Sequence, residues 1–175
     1  ALGDGGAVVT NNRILAEKVR FLGNYGSDYK YHHVYQGHNS RLDELQASFL
    51  SFLLKYLDKW NRERGEIAER YIKEICNPLI ILPKISKDCK HVFHIFAIRC
   101  KERDSLEKYL KDRGIMTNKH YPIPIHMQKA YDNLNIKKGT LPISEEISGT
   151  ELSLPMFYGM SEDEVNYIIK NLNNY

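Results

Sequence analysis

The middle of the sequence carries a helical pattern that organises the segments on either side of it. Apolar side chains recur every three or four residues between positions 42 and 75, which is the spacing of one helix face: Leu42, Leu45, Phe49, Phe52, Tyr56, Trp60, Ile67, Tyr71 and Ile75. Ser40 and Asp43 suit the first turn, and the pattern stops before Pro78. A helix of this length, kinked near Trp60, is typical of a connection between two domains, although a plain core helix has the same pattern. We therefore predict two domains, 1–76 and 77–175.

Beyond this helix the sequence alternates between strand and helix patterns. Residues 91–100 ("HVFHIFAIRC") are rich in strand formers, and the helical segment that follows them ends at Gly114. A second strand is predicted over residues 115–121, followed by a proline-rich loop and short helical turns. A strand over residues 151–156 and a last helix capped by Ser161 complete the pattern. This alternation predicts a compact α/β layer of about 90 residues.

The N-terminal part combines a short strand, a helix and a long loop. Residues 7–10 are predicted as a strand, and the following helix is predicted to be capped by Thr10 or Asn11. One face of this helix is apolar: Ile14, Leu15, Val19 and Leu22. Residues 23–40 have no apolar periodicity and are rich in Gly, Asn, Tyr and His, which predicts an irregular loop. Loops of this length are usually functional or disordered, and the aromatic residues of this one argue against disorder.

Charge and composition argue against several classes of protein. The 25 basic and 22 acidic residues are dispersed and leave a net charge of +3, whereas a nucleic-acid-binding domain usually gathers its basic residues on one face. Cys76, Cys89 and Cys100 match no metal-ligand spacing, and such unpaired thiols are typical of the reducing cytoplasm. No apolar run approaches the roughly 18 residues of a membrane span. We expect a cytoplasmic protein without a metal, a nucleic-acid partner or a membrane partner.

Two segments have the composition of an anion-binding site. The glycine-rich turn at residues 3–6 could cradle a phosphate through its backbone N–H groups, or it could be a tight turn that needs positive φ angles. Asn39 and Arg41 stand where the long helix begins, and an amide and a guanidinium at that place can bind a phosphate or a carboxylate. Alternatively, Asn39 caps the helix and Arg41 pairs with Asp43 or Glu44. The residues alone leave both alternatives open.

A third candidate is a loop that contains two prolines and carries His120, Tyr121 and His126. A rigid polar loop of this kind can line a pocket, although single histidines are more often surface or core residues. The sequence contains no HExxH zinc motif, no GxSxG nucleophile motif and no Rossmann glycine pattern. The residue chemistry therefore indicates binding elements without a catalytic centre.

Four segments in this order resemble the sugar aminotransferases of the DegT/DnrJ/EryC1/StrS family: "ALGDGGAVVT", "NYGSD" with "GHNSRLDELQA", "HYPIPIHMQKAY" and "ELSLPMFYGMSEDEV". The resemblance covers the whole chain. It implies an α/β fold that corresponds to the C-terminal part of a pyridoxal-phosphate (PLP)-dependent transferase of fold type I. That part comprises the end of the large domain with its interface loop and connecting helix (1–76), and a small α/β domain (77–175).

The resemblance also implies a reaction, which is transfer of an amino group from an amino acid, commonly glutamate, to the keto group of a nucleotide-linked sugar. The "HYPIPIH" form is similar to enzymes that act on carbon 3 of dTDP-linked 3-keto-6-deoxyhexoses, in cell-surface polysaccharide or glycoside biosynthesis. In the family the Schiff-base lysine precedes the "LGDGGA" segment, so it is expected upstream of Ala1. We therefore expect residues 1–175 alone to be inactive, and PLP need not be bound to them.

Specific residues take roles from the same resemblance. Asn39 matches an asparagine that reaches the cofactor phosphate of the partner subunit, which implies a homodimer. Arg41 matches a position near that interface where the residue is structural or touches the substrate, and His120, Tyr121 and His126 match a loop near the sugar-nucleotide site. The alternative hypothesis is a non-catalytic α/β module that binds a sugar or a nucleotide.

Overall fold

The computed structural model describes residues 3–175, which form two compact units, 3–57 and 58–175. Ala1 and Leu2, which begin the segment "ALGDGGAVVT", lie outside the described residues. The predicted boundary between domains 1–76 and 77–175 stays a prediction.

The first unit contains two helices and a small hairpin: α1 (Arg13–Gly23), β1 (Ser27–Tyr29), β2 (His32–His33) and α2 (Glu44–Leu53). The cap of α1 is Asn12, whose side chain accepts a hydrogen bond from Leu15 N at 3.1 Å. The predicted caps, Thr10 and Asn11, were therefore wrong, because the helix begins one residue later than the sequence pattern indicated.

Residues 7–10 do not form the predicted strand. Val8 and Val9 are 63% and 94% exposed. A strand is stabilised by its ladder with a neighbouring strand, and in the described part of the chain this segment has no such neighbour. The prediction followed the β-propensity of "AVVT", which is weaker than the need for a pairing partner.

The loop over residues 23–40 folds back on itself instead of being irregular throughout. Its hairpin pairs Ser27 with His33, and its two ends meet where Gly26 and Gly37 cross. A Cβ atom on Gly26 would overlap the carbonyl of Tyr35, and one on Gly37 would overlap the backbone N of Gly26. Gly26 also has a φ of 75°, a conformation that favours glycine. Glycine at both positions thus permits the close crossing of the chain.

The long helical pattern is present, but its limits differ from the prediction. Helix α2 begins at Glu44 with Asp43 at its N-cap. A 3₁₀ turn (Leu54–Tyr56) separates it from α3 (Leu57–Glu74). The interruption therefore lies a turn before the predicted kink at Trp60. Sequence spacing does not reveal it because a 3₁₀ turn changes the apolar periodicity by only a fraction of a residue.

The second unit also contains a three-stranded antiparallel sheet in the order β3 (Ile80–Ile81), β4 (Phe96–Cys100), β5 (Glu151–Leu154). Ile98 lies opposite Leu152 in the register of the two longer strands. The predicted strand over 115–121 is reduced to a single bridge between Asn118 and Ser153 on the free side of β5. The structure thus corrects that prediction, since the rest of the segment leaves the sheet to form a loop.

Three helices accompany the sheet: α4 (Arg103–Lys111), α5 (Pro142–Thr150) and α6 (Glu162–Asn173). Gly114 follows α4 with a φ of 74°, as its predicted role at the helix end requires. Ser161 caps α6 in a capping box with Glu164, as predicted. The core joins α3, α4 and α6 to the sheet through fully buried side chains: Tyr71, Phe96, Ile98, Leu106, Leu110, Leu152 and Leu172. No helix over residues 3–175 has the length and apolar character to cross a membrane.

Candidate functional site

In the first unit, Asn39 and Arg41 form one hydrogen-bonded group ahead of α2. Asn39 is held by a backbone bridge to Asn24, and its Oδ1 accepts a hydrogen bond from Arg41 Nε at 3.1 Å. The Arg41 guanidinium lies over the ring of Tyr25, 5.7 Å from its centroid. The N-cap of α2 is Asp43. Of the alternatives that the sequence left open, helix capping by Asn39 is therefore excluded, and Arg41 contacts Asn39 itself.

This contact fixes which end of the Asn39 amide is available. Because Oδ1 faces the guanidinium, Nδ2 remains the end that donates to another group. Asn39 and Arg41 are both exposed. An oriented amide donor beside a guanidinium is a donor set that suits a phosphate. These residues therefore fit the phosphate of a PLP cofactor.

In the glycine-rich turn, Gly3 has a φ of 118°. This angle agrees with the tight-turn alternative, since residues with side chains seldom adopt it. The carbonyl of Asp4 accepts a hydrogen bond from the Gln46 side chain at 3.3 Å. The turn is thereby attached to α2 within the first unit.

In the second unit, His120 belongs to a network on the free side of β5. Its backbone N–H donates to Glu151 Oε2 at 2.7 Å, and its ring Nδ1 lies 2.8 Å from Ser153 Oγ. Ser153 Oγ in turn donates to Glu151 Oε1. On the other side of the ring, Nε2 lies 3.0 Å from Asn118 Nδ2. Glu151 and Ser153 are buried, at 4% and 5% exposure.

The network forms one wall of a cleft of about 420 Å³. Asn118, His120 and Ser153 line it together with His94 and Thr117. The buried Oγ1 of Thr117 has no hydrogen-bond partner among the described residues. Buried polar atoms are normally paired, so this hydroxyl is suited to a ligand or a water molecule.

Tyr121 and His126 differ in accessibility. Tyr121 is 72% exposed, and its ring packs edge-on against His120 with 5.5 Å between centroids. The His126 side chain is only 6% exposed, and its Nε2 lies 3.1 Å from Glu145 Oε1. Tyr121 is therefore available to a ligand, whereas His126 attaches its loop to α5.

Glu145 is the acceptor that holds this part of the loop together. Burial raises the pKa of its carboxyl, but hydrogen bonds from the backbone of Gly139, from His126 and from the backbone of Leu141 outweigh burial and hold the pKa below its ordinary value. The carboxylate form is thus favoured in the folded chain.

The sequence patterns did not indicate four residues that hold this site together: Asn118, Glu145, Glu151 and Ser153. The one signal for Glu151 was an acidic residue at the start of a strand that otherwise reads as buried, since charged residues are seldom buried without a partner. Among residues 3–175, no group of three or more His, Cys, Asp or Glu residues is arranged to hold a metal ion.

The DegT/DnrJ/EryC1/StrS aminotransferase family matches residues 1–173. The chain belongs to this family. It is 48% identical over 171 residues to the dTDP-3-amino-3,6-dideoxy-alpha-D-galactopyranose transaminase of Aneurinibacillus thermoaerophilus, covering 98% of this chain and 47% of that relative. It is 45% identical over 155 residues to the dTDP-3-amino-3,4,6-trideoxy-alpha-D-glucose transaminase of Streptomyces venezuelae, covering 88% of this chain and 41% of that relative.

Among solved structures, this chain is similar to DesV of S. venezuelae, with a TM-score of 0.91 and 39% identity. The match covers 95% of this chain and 45% of DesV. These comparisons confirm the family and the fold class that the four sequence segments predicted. The chain spans about half the length of the relatives that it matches.

Proposed function

We propose that this chain is part of a PLP-dependent enzyme that transfers an amino group from glutamate to the keto group of a dTDP-linked 3-keto-6-deoxyhexose. The observation that carries this proposal is the 48% identity, over 98% of the chain, to a transaminase named for a dTDP-linked 3-amino-3,6-dideoxy sugar. Such an enzyme would act in the cytoplasm and contribute to cell-surface polysaccharide or glycoside biosynthesis.

Asn39 is the residue that we assign to the cofactor. PLP, when bound, supplies an electron sink for amino transfer. Because Arg41 donates to Oδ1 of Asn39, Nδ2 is the end of the amide that can donate to a ligand. In our proposal Asn39 of one subunit donates from Nδ2 to the cofactor phosphate of its partner, so the enzyme is a homodimer whose site needs both subunits.

The loop that carries His120 and Tyr121 is assigned to the sugar-nucleotide substrate. His120 lines the cleft and Tyr121 presents an exposed ring beside it, which is suited to packing on a sugar or a base. His126 contributes by keeping this loop on α5 through Glu145. Arg41 contributes through the orientation of Asn39, and its guanidinium is also suited to an anionic substrate group.

The test uses a complete enzyme that contains residues 1–175. Purified enzyme, PLP and glutamate are incubated with a dTDP-3-keto-6-deoxyhexose, and mass spectrometry follows the amino sugar while a coupled assay follows 2-oxoglutarate. Stoichiometric formation of both products is expected. Binding of the nucleotide sugar without amino transfer would instead support the non-catalytic binding module.

The same assay addresses residues 1–175 alone. None of their lysines stands in the sequence context of the family's cofactor lysine, so we propose that they do not turn over substrate unaided. Turnover by this chain with added PLP would contradict that part of the proposal.

A further inference from the structure

The hydrogen bonds around His120 leave one consistent assignment of their protons. The starting point is the Asn118 amide, because the backbone N–H of Lys119 donates to its Oδ1 at 2.9 Å. With the oxygen fixed in this way, the atom that faces His120 Nε2 at 3.0 Å is the amide nitrogen, which only donates. His120 Nε2 is therefore the acceptor and carries no proton.

The remaining protons follow in sequence. In the neutral ring, a bare Nε2 places the proton on Nδ1, which donates to Ser153 Oγ at 2.8 Å. The Ser153 hydroxyl then has its own proton free to donate to Glu151 Oε1. The second carboxylate oxygen, Oε2, accepts the backbone N–H of His120 at 2.7 Å. The two carboxylate oxygens of Glu151 thus both serve His120. Oε1 is linked to the ring through Ser153, and Oε2 accepts directly from the backbone N–H.

The position of this network in the fold makes it rigid. Ser153 is in β5, and its backbone exchanges two hydrogen bonds with that of Asn118, at 3.1 and 2.7 Å. Next in the chain, Lys119 contacts Glu107 at 2.7 Å and Asp104 at 3.0 Å, both on α4. The segment from Asn118 to His120 is therefore tied to a strand and to a helix. Its acceptors Glu151 and Ser153 are buried, and a network whose members are all paired specifies one arrangement.

We propose that Glu151 is a positioning residue that acts through Ser153 to hold His120 in the Nδ1–H tautomer and to fix the segment 118–120 along the cleft. The wall of the cleft then presents two polar groups in fixed positions beside the His120 ring, the second amide N–H of Asn118 and the hydroxyl of Thr117. Such a set suits the hydroxyl groups of a sugar. The effect on substrate binding rests on the proposed function, whereas the assignment of the tautomer is independent of it.

The tautomer is tested by NMR of the protein labelled with ¹⁵N at the imidazole nitrogens. The chain has 7 histidines, and His120→Gln identifies the signals of His120 by their loss. We expect a protonated Nδ1 and an unprotonated Nε2. A proton on Nε2 in the wild-type protein would overturn the assignment.

Glu151→Gln tests the positioning residue. A glutamine has one acceptor oxygen where the network needs two, so its NH₂ group must face either Ser153 Oγ or the backbone N–H of His120. In the first case the Ser153 proton loses its acceptor on residue 151 and is donated to His120 Nδ1, so the ring proton moves to Nε2 and the Asn118 amide must turn away from it. In the second case the backbone amide of His120 exchanges faster with solvent. An unchanged tautomer together with unchanged amide exchange would refute the role of Glu151. Glu146→Gln on the neighbouring helix, a side chain 65% exposed, is the matched control and leaves both signals as in the wild type.

A second variant keeps the test decisive if Glu151→Gln does not fold. Asn118 is exposed, and Asn118→Asp replaces the amide nitrogen that faces the ring by an acceptor oxygen while the other oxygen still accepts from Lys119. Nε2 of His120 should then become protonated. An Nε2 that stays unprotonated in this variant would contradict the network.

The functional consequence is measured in the complete holoenzyme by separating the two half-reactions. Glu151→Gln should raise the KM for the dTDP-3-keto-6-deoxyhexose by about threefold to tenfold, the equivalent of one oriented hydrogen bond. The half-reaction with glutamate should keep its wild-type rate, because that step does not use the sugar. An altered tautomer with an unchanged KM would refute the effect on substrate binding. Absence of both half-reactions in the wild type would refute the proposed function and leave the tautomer assignment standing.

Discussion

Asn39 and Arg41 illustrate how one side chain selects the chemistry of another. Asparagine offers a donor end and an acceptor end, and Arg41 uses the acceptor end. With its oxygen occupied, the amide has its N–H donors left for a ligand. A phosphate, which only accepts hydrogen bonds at its charged oxygens, requires such a donor.

Replacement of Asn39 should weaken cofactor retention in the complete enzyme. Asn39→Ala removes a hydrogen bond to a charged group, and we expect the Kd for PLP to rise by about tenfold or more. Equilibrium dialysis against PLP measures the change, with circular dichroism to verify the fold. Arg41→Lys keeps the positive charge but loses the Nε donor, so it should have a smaller effect in the same direction. An unchanged Kd in Asn39→Ala would exclude contact with the phosphate.

Glu145 should make stability depend on pH in the acidic range. Its pKa is lower in the folded chain than the ordinary value of 4.5, so the unfolded chain takes up this proton first as the pH falls. The stabilisation is therefore fully present above about pH 5 and is lost as the pH falls through the folded pKa.

Urea denaturation at a series of pH values measures this effect. Glu145→Gln should be less stable than the wild type at pH 7, and the difference should shrink below pH 4.5, the ordinary value for this carboxyl. His126→Gln should reproduce only part of the loss, because the backbone donors of Gly139 and Leu141 remain. A difference that stays constant from pH 7 to pH 3 would contradict the lowered pKa.

At the level of the secondary-structure element, α6 shows what a local sequence signal can determine. Ser161 and Glu164 satisfy each other's backbone N–H groups in a capping box, at 3.2 and 2.8 Å. Ser161→Ala should lower the free energy of unfolding by about 1 kcal/mol. Ser105→Ala, at an exposed position in α4 that is not the helix cap, is the control and should not destabilise the chain, since alanine has the higher helix propensity. Equal losses in the two variants would argue against the cap.

The elements that the sequence predicted correctly are those whose signals are local. The face of α3, the glycine after α4 and the cap of α6 each depend on residues within a few positions of one another. The failures depend on partners that are distant in the sequence. Residues 7–10 and 115–121 have strand-like composition, but a strand needs a neighbour along its length, and the second segment finds only Ser153.

The same distinction explains the candidate site. Sequence motifs indicated His120, Tyr121 and His126, which lie together on one loop. They did not indicate Glu151 or Glu145, because those residues come from a strand and a helix that reach the loop only in the folded chain. A residue's spacing along the chain carries no information about such long-range hydrogen bonds.

On the scale of the whole molecule, α2 carries an exposed apolar face. Three side chains on one face are strongly exposed: Leu45 at 70%, Phe49 at 44% and Phe52 at 55%. Contiguous apolar surface of this kind usually marks an interface. In the proposed homodimer we assign this face to subunit contact.

Charged substitutions on this face should disrupt the dimer. The double variant Leu45→Glu and Phe52→Glu should shift the complete enzyme from dimer to monomer in sedimentation experiments, and it should also lose PLP because Asn39 serves the partner's site. Ser51→Glu, at an exposed position beside the apolar face, adds one charge without removing apolar surface and should remain dimeric. A double variant that stays dimeric would place the subunit contact elsewhere.

The crossing of Gly26 and Gly37 also bears on how this loop tolerates changes in length. The two glycines close the base of the loop, and Asn39 is anchored outside it by its bridge to Asn24. Residues inserted at the exposed hairpin tip, around Lys30 and Tyr31, would extend the loop without displacing that anchor. The tip is therefore a suitable place for a fluorescent-dye tag or an affinity tag, whereas an insertion between Gly37 and Asn39 would move the amide assigned to the cofactor.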